Sequence, residues 1–376
     1  MAGRTTWVYT GFSRRRGLVA VRSISIVGLG PAGAGAAAAA SKLGVKPVVY
    51  EAMEKPGLKP CGRGLPVVDD GLPVRIPRDS ILRRIRGARM YVDGEFLFEM
   101  REFLEGYIVD KTVMLEAIAV ESDAEIYYRA KYKPGSSRVK LPGGGEARVE
   151  KGVFAGGHPY YGGLKITAVQ WIMETGSRSD PVGDMLEIHF DTSLLGYAYV
   201  FPKEEGFIEV GIGGFATAGE LRSRLERFIS SRSDLRGLKR VKLEGARIAI
   251  GGLDLGLVDG MVKAGEAAGF VLPLTGEGIR PSLISGYEAA ASLIEGGRPL
   301  ERLRATPIAR AVSMQKRILD LVAEMKVEER RRLLKSLTPR AHAEIALGMF
   351  RKHVLLRELA RSPGALKLLG LATRLI

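Results

Sequence analysis

The segment that most restricts the fold is Ser23–Val27 (SISIV), which runs directly into Gly28-Leu-Gly-Pro-Ala-Gly33 and then an alanine-rich stretch to about Leu43. A short buried strand, a G-x-G-x-x-G turn and a helix in that order predict a βαβ nucleotide-binding unit. Each glycine has a separate task. Gly28 permits the tight turn, Gly30 lets backbone approach a pyrophosphate, and Gly33 lets helix pack on strand. The pyrophosphate then rests on the amides and positive dipole end of the helix. Gly44 supplies the helix stop, and Val45–Tyr50 the second strand. Glu51 follows, 23 positions after Gly28. A carboxylate there accepts hydrogen bonds from ribose hydroxyls and repels a 2′-phosphate.

The rest of the chain changes period twice. Lys55–Pro73 is a Gly/Pro-rich loop, Arg84–Met100 alternates as strands, and Lys111–Val120 reads as a helix before a strand at Glu125–Tyr128. Turns of a hairpin fall around Lys133–Gly145. Ile166–Gly213 is mostly strand, with the alternation of an antiparallel sheet. Gly219–Ile229 is helical, Met261–Gly296 returns to strand, glycine loop and helix, and helical periodicity holds from Leu300, with stops near Pro339 and Pro363. The expected architecture combines α/β and α+β. A Rossmann-like nucleotide domain is built from discontinuous segments (22–75, 101–165 and 245–298). An antiparallel-sheet substrate domain (76–100 and 166–244) is inserted, and a basic helical region (299–376) closes the chain. Residues 1–21 read as an extension outside the fold, whether a floppy tail or a start assigned too far upstream.

A second glycine motif sharpens the ligand. Gly265-Glu-Ala-Ala-Gly269-Phe-Val-Leu-Pro273-Leu-Thr-Gly276-Glu-Gly278-Ile279 follows a short apolar strand and opens a helix. It resembles the G-D-A-A-G…P…G-x-G-I segment of FAD enzymes of the p-hydroxybenzoate hydroxylase type. Within that group, Lys59-Pro60-Cys61-Gly62-Arg63-Gly64 resembles the Cys-Gly loop of the geranylgeranyl reductase family. Tyr197-Ala-Tyr199-Val-Phe201-Pro202, followed after eight residues by Gly211-Ile-Gly213, resembles that family's Y-x-W-x-F-P…G-x-G motif, with Tyr199 in the Trp position.

The resemblance covers about Ile24–Gly296 and implies FAD as cofactor, with Glu266 replacing the Asp that binds the ribityl chain. Lys111 stands where an Arg usually contacts FAD, so the charge is kept and the bidentate fork lost. Gly28, Gly30, Ala32, Gly33, Glu51, Pro60, Gly62, Ala130, Gly276, Gly278 and Ile279 complete the implied cofactor set. Tyr197, Tyr199, Phe201 and Pro202 are the implied substrate-side residues. The implied reaction is reduction of C=C bonds in the geranylgeranyl chains of archaeal-type ether lipids. NAD(P)H or an acidic ferredoxin would be the electron donor.

Two of these residues have competing readings. Cys61 is either a small buried hydrophobe or part of the flavin-side wall of the active site. Tyr197, Tyr199 and Phe201 alternate along one strand and so share a face, which either packs a core or lines a prenyl tunnel. The four histidines show no ligand spacing, so no metal is expected.

Composition bears on compartment and partners. With 57 Lys/Arg against 42 Asp/Glu the net charge is +15, and from Arg298 to the end there are 18 basic against 7 acidic residues. An anionic membrane surface is therefore an expected partner, through peripheral contact from the cytoplasmic side. No apolar run is long enough for a spanning helix. One cysteine excludes an internal disulfide. The absence of Asn, with only Gln170 and Gln315 for Gln, is the composition of a protein that works hot. A monooxygenase acting on a small ring shares the glycine motifs. A nucleic-acid-binding flavoprotein is permitted by the charge and unsupported by any basic-aromatic module.

Overall fold

A computed structural model describes residues 23–68, 71–102, 104–176 and 180–361. The N-terminal extension and the segment around Pro363 lie outside the described residues. Ser23–Val27 forms the expected strand, paired in parallel with Lys46–Tyr50 on one side and Gly152–Phe154 on the other. Glu125–Tyr127 and Met261–Lys263 extend the parallel sheet, and Leu257–Val258 adds an antiparallel edge. A small antiparallel meander, Lys131–Lys133, Arg138–Lys140 and Glu146–Arg148, fills the connection between two of its strands.

The helices Pro31–Lys42 and Ile279–Ile294 lie together against this sheet because small residues let their backbones meet. A Cβ added at Gly35 would collide with the Leu283 carbonyl, and one at Gly286 with the Ala32 carbonyl. The alanines of the first helix are buried on nearly every side, as such close packing requires.

The second sheet has seven strands in the order Lys239–Ala249, Lys165–Glu174, Phe207–Gly214, Gly196–Pro202, Leu186–Asp191, Ala88–Val92 and Glu95–Met100. All its pairs are antiparallel except Leu186–Asp191 with Ala88–Val92. Residues 81–85 are not part of it. Ile81–Ile85 pairs instead with Gly106–Val109, which also holds Gly64–Pro66, tying the Cys-Gly loop to the small sheet at the domain junction. One face of the large sheet is sealed by the helix Ala218–Ser231, whose Leu221, Leu225 and Ile229 pack on Ala198, Val200, Ile208, Val210 and Ile212. A capping box between Thr217 and Glu220 starts that helix. Alternation then sends Tyr197, Tyr199 and Phe201 to the other face.

The C-terminal region is no appendage. Pro339, expected to stop a helix, begins one at Pro339–Ala346, where its missing N–H costs nothing. Met325, Leu333, Leu337, Ala341 and Ile345 make a core of their own beside Leu274. Ala343 joins Ala88, Met90 and Met100 under the far end of the large sheet.

Candidate active site

Two buried helix N-termini face one cavity. The helix Pro31–Lys42 starts at Gly30 and the helix Ile279–Ile294 at Gly278, and neither has a side-chain cap. Gly30, Ala32, Gly278 and Ile279 all line the cavity. First-turn amides without internal partners, at the positive end of a helix, demand acceptors. Gly28 has φ +93° and donates its N–H to the Tyr50 carbonyl at 2.8 Å. A Cβ on Gly33 would collide with the Gly28 carbonyl, whereas one on Gly30 would meet nothing within 4 Å. The first and third glycines therefore serve the fold, and the second leaves open a space at the helix end. Glu51, 8% exposed, borders that space, with its carboxylate oxygens accepting from Leu29 N–H at 2.6 Å and Met53 N–H at 2.8 Å. Those two bonds aim the carboxylate and leave lone pairs for hydroxyl groups.

The Cys-Gly loop is held by charge. The Lys111 ammonium is buried, which pushes its pKa down, and donates to the Lys59 carbonyl at 2.5 Å. Lys59 in turn spans to the Glu266 carboxylate at 2.6–2.7 Å, and Glu266 also accepts from Ala249 N–H at 3.1 Å. Lys111 thus anchors the loop backbone while bordering the cavity, and Glu266 reaches the cavity already clamped from both sides. Cys61, half-buried, accepts from Arg63 N–H through its sulfur at 3.3 Å. This bond closes a tight loop in which Arg63 takes a left-handed φ of +59°.

The aromatic row explains its own glycine motif. Tyr199 lies opposite Gly211 and Tyr197 opposite Gly213 on the neighbouring strand. A Cβ at Gly211 would collide with the Tyr199 ring, so this glycine makes room for a ring lying over it, whereas a Cβ at Gly213 would meet Ala168 and no ring. Tyr199 and Phe201 pack with ring centroids 4.6 Å apart. The Tyr197 hydroxyl donates to the Thr275 carbonyl, tying this wall to the second glycine loop. The Tyr199 hydroxyl donates to Gln170 Oε1 at 2.7 Å and lies 3.4 Å from Glu209 Oε1. Glu209 is 1% exposed, and burial pushes its carboxyl up to about 7 against the lowering charges of Lys203 and Arg63.

Past these rings the same cavity, of about 1530 Å³, continues as an apolar arm. Its walls are Leu186, Ile188 and Phe190 from the sheet and Ile318, Leu333, Leu337 and Ile345 from the C-terminal helices. His342 sits among Phe98 and Phe190, its pKa pushed down to about 4 by burial, so it is neutral. The volume exceeds the roughly 300–1,000 Å³ of ordinary small-molecule pockets.

Of the residues singled out in the sequence, Gly28, Gly30, Ala32, Glu51, Pro60, Cys61, Gly62, Lys111, Ala130, Glu266, Gly276, Gly278, Ile279, Tyr197, Tyr199 and Phe201 all border this cavity. Gly33 and Pro202 do not. Gly33 is spent on helix–strand contact, and strand alternation turns Pro202 away from the face that Phe201 occupies. Sequence reasoning missed Gln170, Glu209, His342 and the helical arm. Glu209 carried a signal, since it precedes Gly211 by two and so must share its face. The others reach the site only through long-range packing. Among the described residues no three His, Cys, Asp or Glu side chains cluster as a metal site.

No family model matches the chain. It is 26% identical over 308 residues to the digeranylgeranylglycerophospholipid reductase of Thermoplasma acidophilum, covering 71% of this chain and 76% of that one. It is 24% identical over 320 residues to the chloroplastic geranylgeranyl diphosphate reductase of Nicotiana tabacum, covering 74% and 68%. Among solved structures, a geranylgeranyl bacteriochlorophyll reductase-like protein of Thermoplasma acidophilum superposes with a TM-score of 0.77 at 22% identity, over 94% of this chain and 99% of that one. At that identity the likeness shows a common fold.

Proposed function

We propose that the chain is a member of the geranylgeranyl reductase family, as its likeness to such reductases supports, and that it is an FAD-dependent reductase that saturates C=C bonds in the geranylgeranyl chains of ether lipids. The observation that carries this reading is the continuity of one cavity from two uncapped helix N-termini, past three aromatic rings, into an apolar arm. A dinucleotide fits the first half chemically. The Gly30 end would hold the pyrophosphate, Glu51 the ribose hydroxyls, and the Gly276–Ile279 turn the flavin's pyrimidine edge. Glu266 would face the ribityl chain and the Cys-Gly loop the ring. Bound there in reduced form, FAD would supply the hydride.

The protein's own contribution is position and exclusion of water. Rings at Tyr197, Tyr199 and Phe201 give an apolar floor on which an alkene can lie in register. The helical arm would take up the remaining isoprene units, so that binding energy from the tail holds the reacting bond in place. A neutral His342 adds no charge to the arm. NAD(P)H or an acidic ferredoxin would reduce the cofactor, and an anionic membrane surface would present the lipid. No helix among the described residues is long and apolar enough to cross a membrane. The test is to purify the protein, read its flavin spectrum, reduce it chemically and add an unsaturated geranylgeranyl ether lipid. Mass spectrometry should show hydrogen gained in pairs. A protein that carries no flavin, or that is reoxidised only by oxygen with hydroxylated product, overturns the reading.

A further inference from the structure

Reduction of an alkene needs a proton as well as a hydride, and the described residues hold an arrangement suited to deliver one. Across the cavity face of the large sheet runs a polar row: Tyr199, then Gly211, then Gln170 paired with Glu244. Gly211 has no side chain, so the Tyr199 hydroxyl reaches over it to Gln170 Oε1 at 2.7 Å, and Gln170 Nε2 donates to Glu244 at 2.9 Å. Two residues back along the same strand is Glu209, with Oε1 3.4 Å from the Tyr199 oxygen. Its other oxygen lies 3.6 Å from Lys203 Nζ, an ammonium that is buried with no hydrogen-bond partner. The Cys-Gly loop lids the pair, since a Cβ on Gly62 would stand 3.1 Å from the Phe201 ring and 3.5 Å from Glu209 Oε1. A carboxyl this deep, touching a wall residue's hydroxyl and facing an unsatisfied ammonium, is more than the sheet needs for stability.

We propose that Tyr199 is the proton donor to the substrate alkene and that Glu209, behind it, is the proton source. The inference rests on the reductase reading. In the step, one alkene carbon accepts a hydride from the reduced cofactor, which ends oxidised. The π electron pair takes the Tyr199 hydroxyl proton to form the second C–H bond. Glu209 passes its own proton to the Tyr199 oxygen in the same event, so no phenolate forms. That matters because burial and the neighbouring Glu209 raise the Tyr199 pKa well above its ordinary value. The negative charge comes to rest on Glu209, where Lys203 and Arg63 face it as cations and Glu244 as a carboxylate. Solvent restores the proton between turnovers.

The experiment uses the FAD-loaded protein, chemically reduced and mixed with an unsaturated geranylgeranyl ether lipid in single turnover between pH 5 and 9. Infrared spectra of the oxidised protein follow the carboxyl stretch over the same range. For the parent, cofactor reoxidation should slow as pH rises through about 7, and a protonated-carboxyl band should vanish over the same interval. Glu209→Gln should remove both the band and the pH limb and slow the step about 10²-fold or more. Tyr199→Phe should slow it as much while keeping the band. Glu209→Asp, tested for flavin content and melting beside the others, should restore part of the limb. A purely structural role would change melting or KM and leave the limb in place. Glu209→Gln with parental rate and limb, or a band it does not remove, overturns the donor pair while reduction itself stands. A parent that never reduces the lipid overturns the reductase reading and the pair with it.

Discussion

The two halves of the cavity are built from different materials. At the cofactor end, backbone does the work: glycines, helix N-termini and turns, in segments contiguous in the chain. At the substrate end, side chains do it, gathered from a seven-stranded sheet and helices more than a hundred residues further on. A backbone site tolerates almost no added atom at its contact points but is indifferent to most surrounding side chains. A side-chain site tolerates substitution and changes its selectivity. The first kind is therefore expected to fail all at once, the second by degrees.

The largest expected effect lies in the first half. Gly30→Val places methyl groups into the space at the helix end, where nothing in the protein opposes them. It should fold with near-parental melting and bind no flavin. Gly33→Val drives the same group into the Gly28 carbonyl and should fail to fold. Flavin absorbance and circular dichroism separate the two. A Gly30→Val protein with full flavin would break the contrast on which the assignment stands.

Next is the aromatic wall. Phe201 is only half-buried and lines the cavity, so Phe201→Ala should cost less than the roughly 3–5 kcal/mol of a sealed core phenylalanine. The alkene above the cofactor would be held more loosely, and misplacement of this kind lowers rate about a hundredfold. Tyr199→Trp keeps the floor and removes the hydroxyl, so it should preserve which double bonds are reduced while slowing each. Product mass distribution beside melting temperature checks both. A large fall in melting with an unchanged pattern would make the row ordinary core.

The glycine segments were legible because the physics behind them is local: a positive φ at Gly28, a collision at Gly33 and a free helix end can all be inferred from neighbours in sequence. The face shared by Tyr197, Tyr199 and Phe201 followed from alternation alone. The arm was not legible, because whether Leu333 or Ile345 faces a cavity depends on where the sheet lies. Nor did the charge of the C-terminal region show that Arg331 reaches Asp93 at 2.6 Å and that Lys335 pairs with Glu95, both on the large sheet's edge hairpin. Pro202 was carried along by its motif although alternation already turned it inward.

A smaller effect tests the closure of the arm. His342 is buried, accepts no charge, and donates to the Leu334 carbonyl at 3.0 Å. With its pKa lowered from 6.5 to about 4, the unfolded chain binds more protons between those values. Stability from this group is full above about 6.5 and lost as pH falls towards 4, by about 3 kcal/mol at most. His342→Phe should flatten the acid limb of melting temperature against pH. An unchanged limb would mean that the helices do not bury this position.

The smallest effect expected is membrane attachment, and the structure explains why it is small. The C-terminal excess of positive charge is partly consumed inside the fold. Arg302 pairs with Glu288 at 2.5 Å and also with Glu295, Lys316 with Asp320, and Arg330 caps the Val322 and Ala323 carbonyls. A cation already paired adds little to a surface field, whereas a free one near an anionic bilayer contributes on the order of 1 kcal/mol, screened by salt. Binding should therefore be weak and reversible, arising from exposed cations such as Arg304 that project into solvent. Co-sedimentation with vesicles should rise with anionic lipid and fall steeply between low and physiological salt. Arg304→Glu should reduce it modestly without touching flavin content or the turnover of detergent-dispersed lipid. Retention that survives high salt would instead require apolar insertion, and the charged face would then have no part in presenting the substrate.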